Sequence, residues 1–335
     1  MERKLPLEQK ERDYLFDNMK AILIIFVVMG HLVVNVCKQD AIFNAIYSFI
    51  YIFHMPVFVF ITGYFSKNVQ KCRDVAVERY LVPYFVFCIL LQVEDRILNI
   101  GVGRNLGFNL LYPQWGMWYL IALFWWKLFI KDFVRIRFIL PFSILIGLLS
   151  GFSREIGSFL SIGRAVNLLF FFLLGYYCTK EKIEKLRKLP KILGVVPIII
   201  TGLCAYFMIY RFEWSRHLLF MKRSYMEGSV KEEIIVRIMI YIVASLMIFA
   251  LVRLCSNKKN AFTYIGTNSV SVYVIHLFIV KIIERFYDFS QAPWINLVLV
   301  FGLSFLIAAI AGCSYFANLY EKSIGFVNRI IFKKE

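Results

Sequence analysis

Acidic residues are scarce in this chain: 22 Asp and Glu stand against 39 Lys and Arg in 335 residues, for a formal net charge of +17. Cysteine is sparse as well. Its seven positions, Cys37, Cys72, Cys88, Cys178, Cys204, Cys255 and Cys313, show no CxxC or CxxH spacing, so neither a disulfide framework nor a metal site is expected. No internal repeat or low-complexity tract divides the sequence. Also missing is any polar stretch of domain length, because the longest polar loop, about 211–232, is too short for an independent core. The basic excess thus has no soluble domain to sit on, and nucleic acid is excluded as a partner. The leading MERKLPLEQKERD is charged and the first apolar run lacks a small-residue cleavage site after it, which reads as a retained helix rather than a signal peptide.

What the chain has in quantity is apolar surface: 60% of residues are hydrophobic and 18% aromatic, with a mean hydropathy of +0.68. Globular proteins hold about 45–50% apolar residues, and the long apolar runs here require a lipid bilayer as solvent. The expected fold is an all-α integral membrane protein, a single transmembrane domain over 1–335 with a central aqueous cavity or tunnel. Ten spans are expected, at 18–37, 43–64, 80–100, 115–131, 136–152, 163–178, 191–210, 233–252, 268–287 and 293–317. The sixth is short and admits a re-entrant reading. Dropping it, however, would put the basic stretch 180–191 outside and spoil an asymmetry in which inside segments hold more than twice the Lys and Arg of the outside loops. Both termini are therefore expected on the cytoplasmic side of the cell membrane.

Ionisable residues at membrane depth are costly and are functional candidates for that reason. Lys20, His31, His54 and His276 fall within the expected spans, so every histidine except His217 is used there. His31 lies about 16 Å along the first helix from Lys20, His54 about 16 Å into the second, and His276 about 12 Å into the ninth, which places the three imidazoles near one level. Eleven residues at about 100° each return within about 20° of the same face, so Asp17, Lys20 and His31 share a stripe that must face protein or water. Other readings stand beside these. Lys20 either snorkels to the interface or lines an aqueous path, Asp17 pairs with Lys20 across a turn, and His54 serves a helix kinked at Pro56.

The segment RDYLFDNMKAILIIFVVMGH resembles the first helix of the membrane-bound acyltransferase family 3, which includes sugar O-acetyltransferases related to fucose 4-O-acetylase. There a basic residue, ten intervening positions and a histidine recur, here Lys20 and His31. FHMPVFVFITGYF, ERYLVPY, GMWYL, LLFFFLLGYY and YIGTNSVSVYVIH follow in the family's order, so the resemblance covers almost the whole chain. Many members carry arginine where this chain has Lys20, an exchange that loses bidentate geometry.

The resemblance implies transfer of an acyl group, usually acetyl, from cytosolic acetyl-coenzyme A to a hydroxyl of an extracytoplasmic or lipid-linked glycan. His31 then acts either as the general base or as a nucleophile through an acyl-histidine intermediate, two routes that the sequence does not separate. Lys20, Arg12, Lys71, Arg73 and Arg79 would attract the polyanionic coenzyme A. Asp17, His54, Asn268, Ser269, Tyr273 and His276 would form a supporting polar shell, and Arg164, Trp118 and Tyr119 would meet the acceptor sugar. The competing reading from the residues alone is a proton-coupled or small-molecule transporter, in which the buried His, Asp and Lys form a relay.

Overall fold

The computed structural model describes residues 13–34, 36, 41–100, 107–211, 216–226, 229–287 and 292–333, and no β-strand occurs among them. The helices are α1 (Leu15–Val33), α2 (Ala41–Tyr64), α3 (Val69–Asp74), α4 (Val82–Leu98), α5 (Trp118–Phe133), α6 (Ile139–Leu149), α7 (Ile162–Tyr177) and α8 (Lys180–Lys188). They continue as α9 (Lys191–Arg211), α10 (Arg216–Phe220), α11 (Val230–Leu254), α12 (Thr263–Thr267), α13 (Ser269–Phe286), α14 (Pro293–Ala311) and α15 (Ser314–Ile331).

Among the described residues six helices are long and apolar enough to cross a membrane: α1, α2, α7 with the turn before it, α9, α11 and α14. Four further expected spans take helical form but are shorter or more charged. α4 has 17 residues, α5 has 16 and α6 has 11, against the roughly 20 that a 30 Å hydrocarbon layer needs. α13 has 18 residues but carries Lys281, Glu284 and Arg285 in its last turns. Burial sorts centre from periphery: 67% of the apolar window of α2 is buried inside the protein, against 28% for α9. The apolar residues that α9 leaves exposed, such as Ile192, Ile199 and Leu203, form the kind of face that lipid covers.

The crossing of α2 and α7 shows why the centre is tight. A Cβ on Gly63 would overlap the carbonyl of Phe172, and one on Gly175 would overlap the carbonyl of Phe60. Glycine at both positions lets the two backbones meet, the small-residue solution to helix packing when apolar solvent supplies no drive to associate. Basic residues of the connecting segments then close the helix ends. Lys67 Nζ donates to the carbonyls of Gly175, Tyr176 and Cys178, and Arg187 donates to those of Val252 and Cys255 at 2.9 Å each. These are orphan C-terminal carbonyls at the negative end of a helix. Burial beside α7 holds the Lys67 amine below its ordinary pKa.

The expected tenth span, 293–317, ends early. The last carbonyls of α14 are taken by side chains of the segment before α13 and its first turn: Ser271 Oγ donates to Ala311 O at 2.7 Å and Asn268 Nδ2 to Gly312 O at 2.8 Å. A Cβ on Gly312 would stand 3.1 Å from Ile265 Cα, so the backbones approach closely there, and the chain restarts as α15. That helix was not anticipated from the sequence. It buries Ile324 and leaves Tyr315, Leu319, Phe326 and Ile330 exposed.

Candidate active site

The stripe expected on α1 is present. Lys20, Ile24 and Val27 line one cavity of about 250 Å³, and Val27, His31 and Val34 line a second of about 320 Å³. Asp17 pairs with Lys20 at 3.0 Å. The helix closes at Val33, so His31 occupies its last turn rather than the middle of a span running to residue 37. Two cavities sit back to back along α1, and Val27, Met55 and Tyr273 belong to the walls of both.

Three helices bring the histidines together. His31 from α1 and His54 from α2 line the larger cavity, and the ring of His276 from α13 lies 5.2 Å from that of His31, centroid to centroid. His276 is fully buried, and its Nδ1 faces the carbonyl of Val272 at 2.9 Å. A carbonyl only accepts, so Nδ1 carries the proton of the neutral ring and Nε2 presents its lone pair. That Nε2 is buried with no hydrogen-bond partner among the described residues. His54 is fixed in the same way, its Nδ1 donating to Ile50 O at 2.7 Å. Pro56 frees the carbonyl of Ile52, so the ring is not committed to the kink.

His31 is packed from one side by Trp115, whose ring stacks on the imidazole at 5.8 Å with an interplanar angle of 14°. Trp115 holds φ at +50°, a conformation unfavourable for a residue with a Cβ, at the turn that starts α5. Lys281 Nζ lies 5.5 Å over the same indole, pairs with Asp95 at 2.8 Å and donates to Leu91 O at 3.2 Å. Only 3% of the Lys281 side chain is exposed.

The far wall of the His31 cavity is cationic and aromatic. The Arg164 guanidinium lies 4.6 Å over Trp118 and 5.3 Å over Phe220, and its Nε donates to Phe220 O at 3.3 Å. Lys222 joins it from the segment before α11, where burial first, then Arg164 and Arg223, lower its pKa to about 8. That segment is tied down by Arg237 on α11. Its guanidinium donates to Gly147 O and Asn167 Oδ1 at 3.1 Å each and to Arg223 O at 2.6 Å. It also lies 4.4 Å over the Tyr225 ring. Asn167 in turn donates to Met221 O at 3.1 Å.

The Lys20 cavity holds a second cation. Lys127 Nζ donates to Ser66 Oγ at 2.6 Å and approaches Cys72 Sγ at 3.7 Å. Thr62 and Tyr119 share a hydroxyl hydrogen bond of 2.8 Å on the same wall, and Ser269 completes it.

The expected residues thus divide. Trp118 and Arg164 line the His31 cavity, but Tyr119, grouped with them from its sequence neighbourhood, lies in the Lys20 cavity because adjacent helical positions point about 100° apart. Lys71, Arg73 and Arg79 are exposed and line neither cavity, and Arg73 lies 3.9 Å from Asp132. Asn268 is engaged at the end of α14. Arg12 lies outside the described residues. Lys127, Arg237 and Lys281 were missed. Each is a lone charge within or bordering an apolar run, IALFWWKLFI, IIVRIMIY and LFIVKII, and that signal was available for all three. Among the described residues no group of three or more His, Cys, Asp or Glu converges as a metal site would require.

The family model described as an acyltransferase domain matches residues 13–313. The nodulation protein NolL of Sinorhizobium fredii is 31% identical over 128 residues, 34% of this chain and 35% of that protein. NolL of Mesorhizobium japonicum is 35% identical over 95 residues, 26% of each chain. The chain therefore aligns with about a third or less of the length of these curated relatives. No solved structure matches it.

Proposed function

The chain belongs to the acyltransferase family whose model spans residues 13–313, and from that premise we propose that it moves an acyl group, acetyl in the first instance, from coenzyme A to a hydroxyl of a glycan or lipid-linked sugar. The observation that carries this reading is the pair of cavities meeting at Val27, Met55 and Tyr273, one with two lysines and the other with His31, Arg164 and Trp118. Two reactants of unlike chemistry then approach one point from opposite ends of α1. In the proposed topology α4, α5, α6 and α13 complete ten spans of the cell membrane with both termini cytoplasmic. The Lys20 cavity opens toward the cytosol and the His31 cavity toward the exterior.

Coenzyme A is polyanionic. Lys20 and Lys127 offer it charge inside the cavity, and Lys71, Arg73 and Arg79 add attraction from the exposed segment after α2, whose Phe65 and Tyr80 line the same wall. The pantetheine arm carries the thioester to the shared wall. On the other side the sugar ring stacks on Trp118 while Arg164 holds an acceptor oxygen.

His31 takes the proton of the attacking hydroxyl as the carbon–oxygen bond forms, the work of a general base. His276 stands beside it, its ring 5.2 Å from that of His31 and its Nε2 buried without a hydrogen-bond partner among the described residues. The measurement is transfer of labelled acetyl from acetyl-coenzyme A to extracted surface glycans by purified protein in nanodiscs. His31→Ala is expected to lower the rate by a factor of about 10² or more while the fold and acetyl-coenzyme A binding persist. Undiminished transfer by that variant would remove the base from His31.

A further inference from the structure

Of the three side chains common to both cavity walls, Tyr273 is the one that carries a polar atom. Its Oη is buried and meets no hydrogen-bond partner among the described residues. The neighbouring hydroxyls do not relieve it: the Tyr119 ring lies 5.7 Å away, but its Oη is committed to Thr62. His276, one turn further along α13, has its ring 6.0 Å from Tyr273 and its Nδ1 committed to Val272. Gly116 leaves space against the phenol, since a Cβ there would stand 3.5 Å from Oη. A hydroxyl buried without a partner is costly and rare, and a protein that keeps one in a cavity wall keeps a donor free for a ligand.

We propose that Tyr273 Oη–H donates the hydrogen bond that stabilises the oxyanion formed on the thioester carbonyl, an assignment that rests on the acyltransferase reading. The acceptor hydroxyl oxygen bonds to the carbonyl carbon while its proton passes to His31. The carbonyl π electrons move onto oxygen, and that oxyanion accepts from Tyr273 without taking its proton. Collapse restores the carbonyl, breaks the carbon–sulfur bond and expels coenzyme A thiolate, which receives the proton from His31. The geometry suits this role because the donor stands where the two cavities meet, ahead of any substrate, and its O–H meets no acceptor among the described residues; the backbone N–H of Tyr119, directed at Oη, is itself a donor and leaves that proton free.

Tyr273→Phe removes one oxygen and leaves the ring. Purified Y273F is expected to lose kcat by about 10²-fold or more, as removal of a single oxyanion donor does elsewhere. KM for acetyl-coenzyme A should be unchanged and thermal stability equal to or above that of the wild type, because an unsatisfied hydroxyl has gone. Isotope-edited infrared spectra of bound acetyl-coenzyme A give a second readout in the inactive His31→Ala background. The thioester carbonyl frequency should be lower in that single variant, which keeps Tyr273, than in the double variant that also carries Tyr273→Phe. Wild-type kcat in Y273F, or a loss of stability with a raised KM and an unmoved carbonyl band, would overturn the assignment. If the wild type itself binds no acetyl-coenzyme A and transfers nothing, the acyltransferase reading fails first and the assignment falls with it.

Discussion

The ion pair between Lys281 and Asp95 gives the sharpest test of the packing around His31. At 2.8 Å and an effective dielectric constant near 20, two unit charges attract by about 6 kcal/mol before desolvation is subtracted. The partners are unequally buried, the Lys281 side chain being 3% exposed and that of Asp95 24%. Asp95→Asn therefore leaves a buried ammonium with the carbonyl of Leu91, the face of Trp115 and the Glu94 carboxylate, which is not paired with it directly, a loss of about 3–5 kcal/mol. Lys281→Met strands a carboxylate that reaches water and should cost about 1.5–3 kcal/mol, the scale of a lost charged hydrogen bond. In the double variant no ammonium is left buried, so its cost should fall below that of Asp95→Asn alone. Reversible unfolding in mixed micelles, followed by tryptophan fluorescence, yields the double-mutant cycle. Because the ammonium also faces Trp115, and Trp115 stacks on His31, Asp95→Asn should slow acyl transfer as well. Equal single costs that add in the double variant would refute the reasoning, since they would mean that the two charges do not share a low-dielectric site.

Gly175→Ala drives a Cβ into the carbonyl of Phe60 and is expected to cost about 3 kcal/mol or to prevent assembly, measured as the monodisperse fraction after detergent extraction, whereas Gly202→Ala, with open space around its Cβ, should be silent. Arg237→Met leaves the carbonyls of Gly147 and Arg223 unpaired and should loosen residues 221–226, seen as faster hydrogen exchange there and a raised KM for the acceptor with little change in KM for the donor. The Lys222 amine, lowered from 10.5 to about 8 in the folded protein, is neutral there and protonated in the unfolded chain between those values, so its contribution to stability rises as pH climbs from about 8 toward 10.5. Over the same window its positive charge leaves the His31 cavity, so acceptor KM should rise above pH 8 in the wild type and stay flat in Lys222→Arg, read from initial rates across pH.

Several features are determined by the sequence alone. Apolar runs of spanning length require a lipid solvent, because no other medium tolerates so much exposed Ile, Leu and Phe, and within those runs every backbone group must be satisfied by helix. The 3.6-residue period then puts Asp17, Lys20 and His31 on one stripe, whatever that stripe faces. What it faces is a tertiary fact. His31 meets His276 across 245 residues of chain because α1 and α13 cross there, and Tyr119 parts from Trp118 because one helical step turns it into the other cavity. The same holds for Lys281, Arg237 and Lys127. Their charges are visible in the string, but only the folded chain supplies Asp95, Asn167 and Ser66 as partners. Periodicity is local and fixes faces, whereas burial and pairing depend on which distant faces meet, and in this protein that meeting makes two cavities with one wall in common.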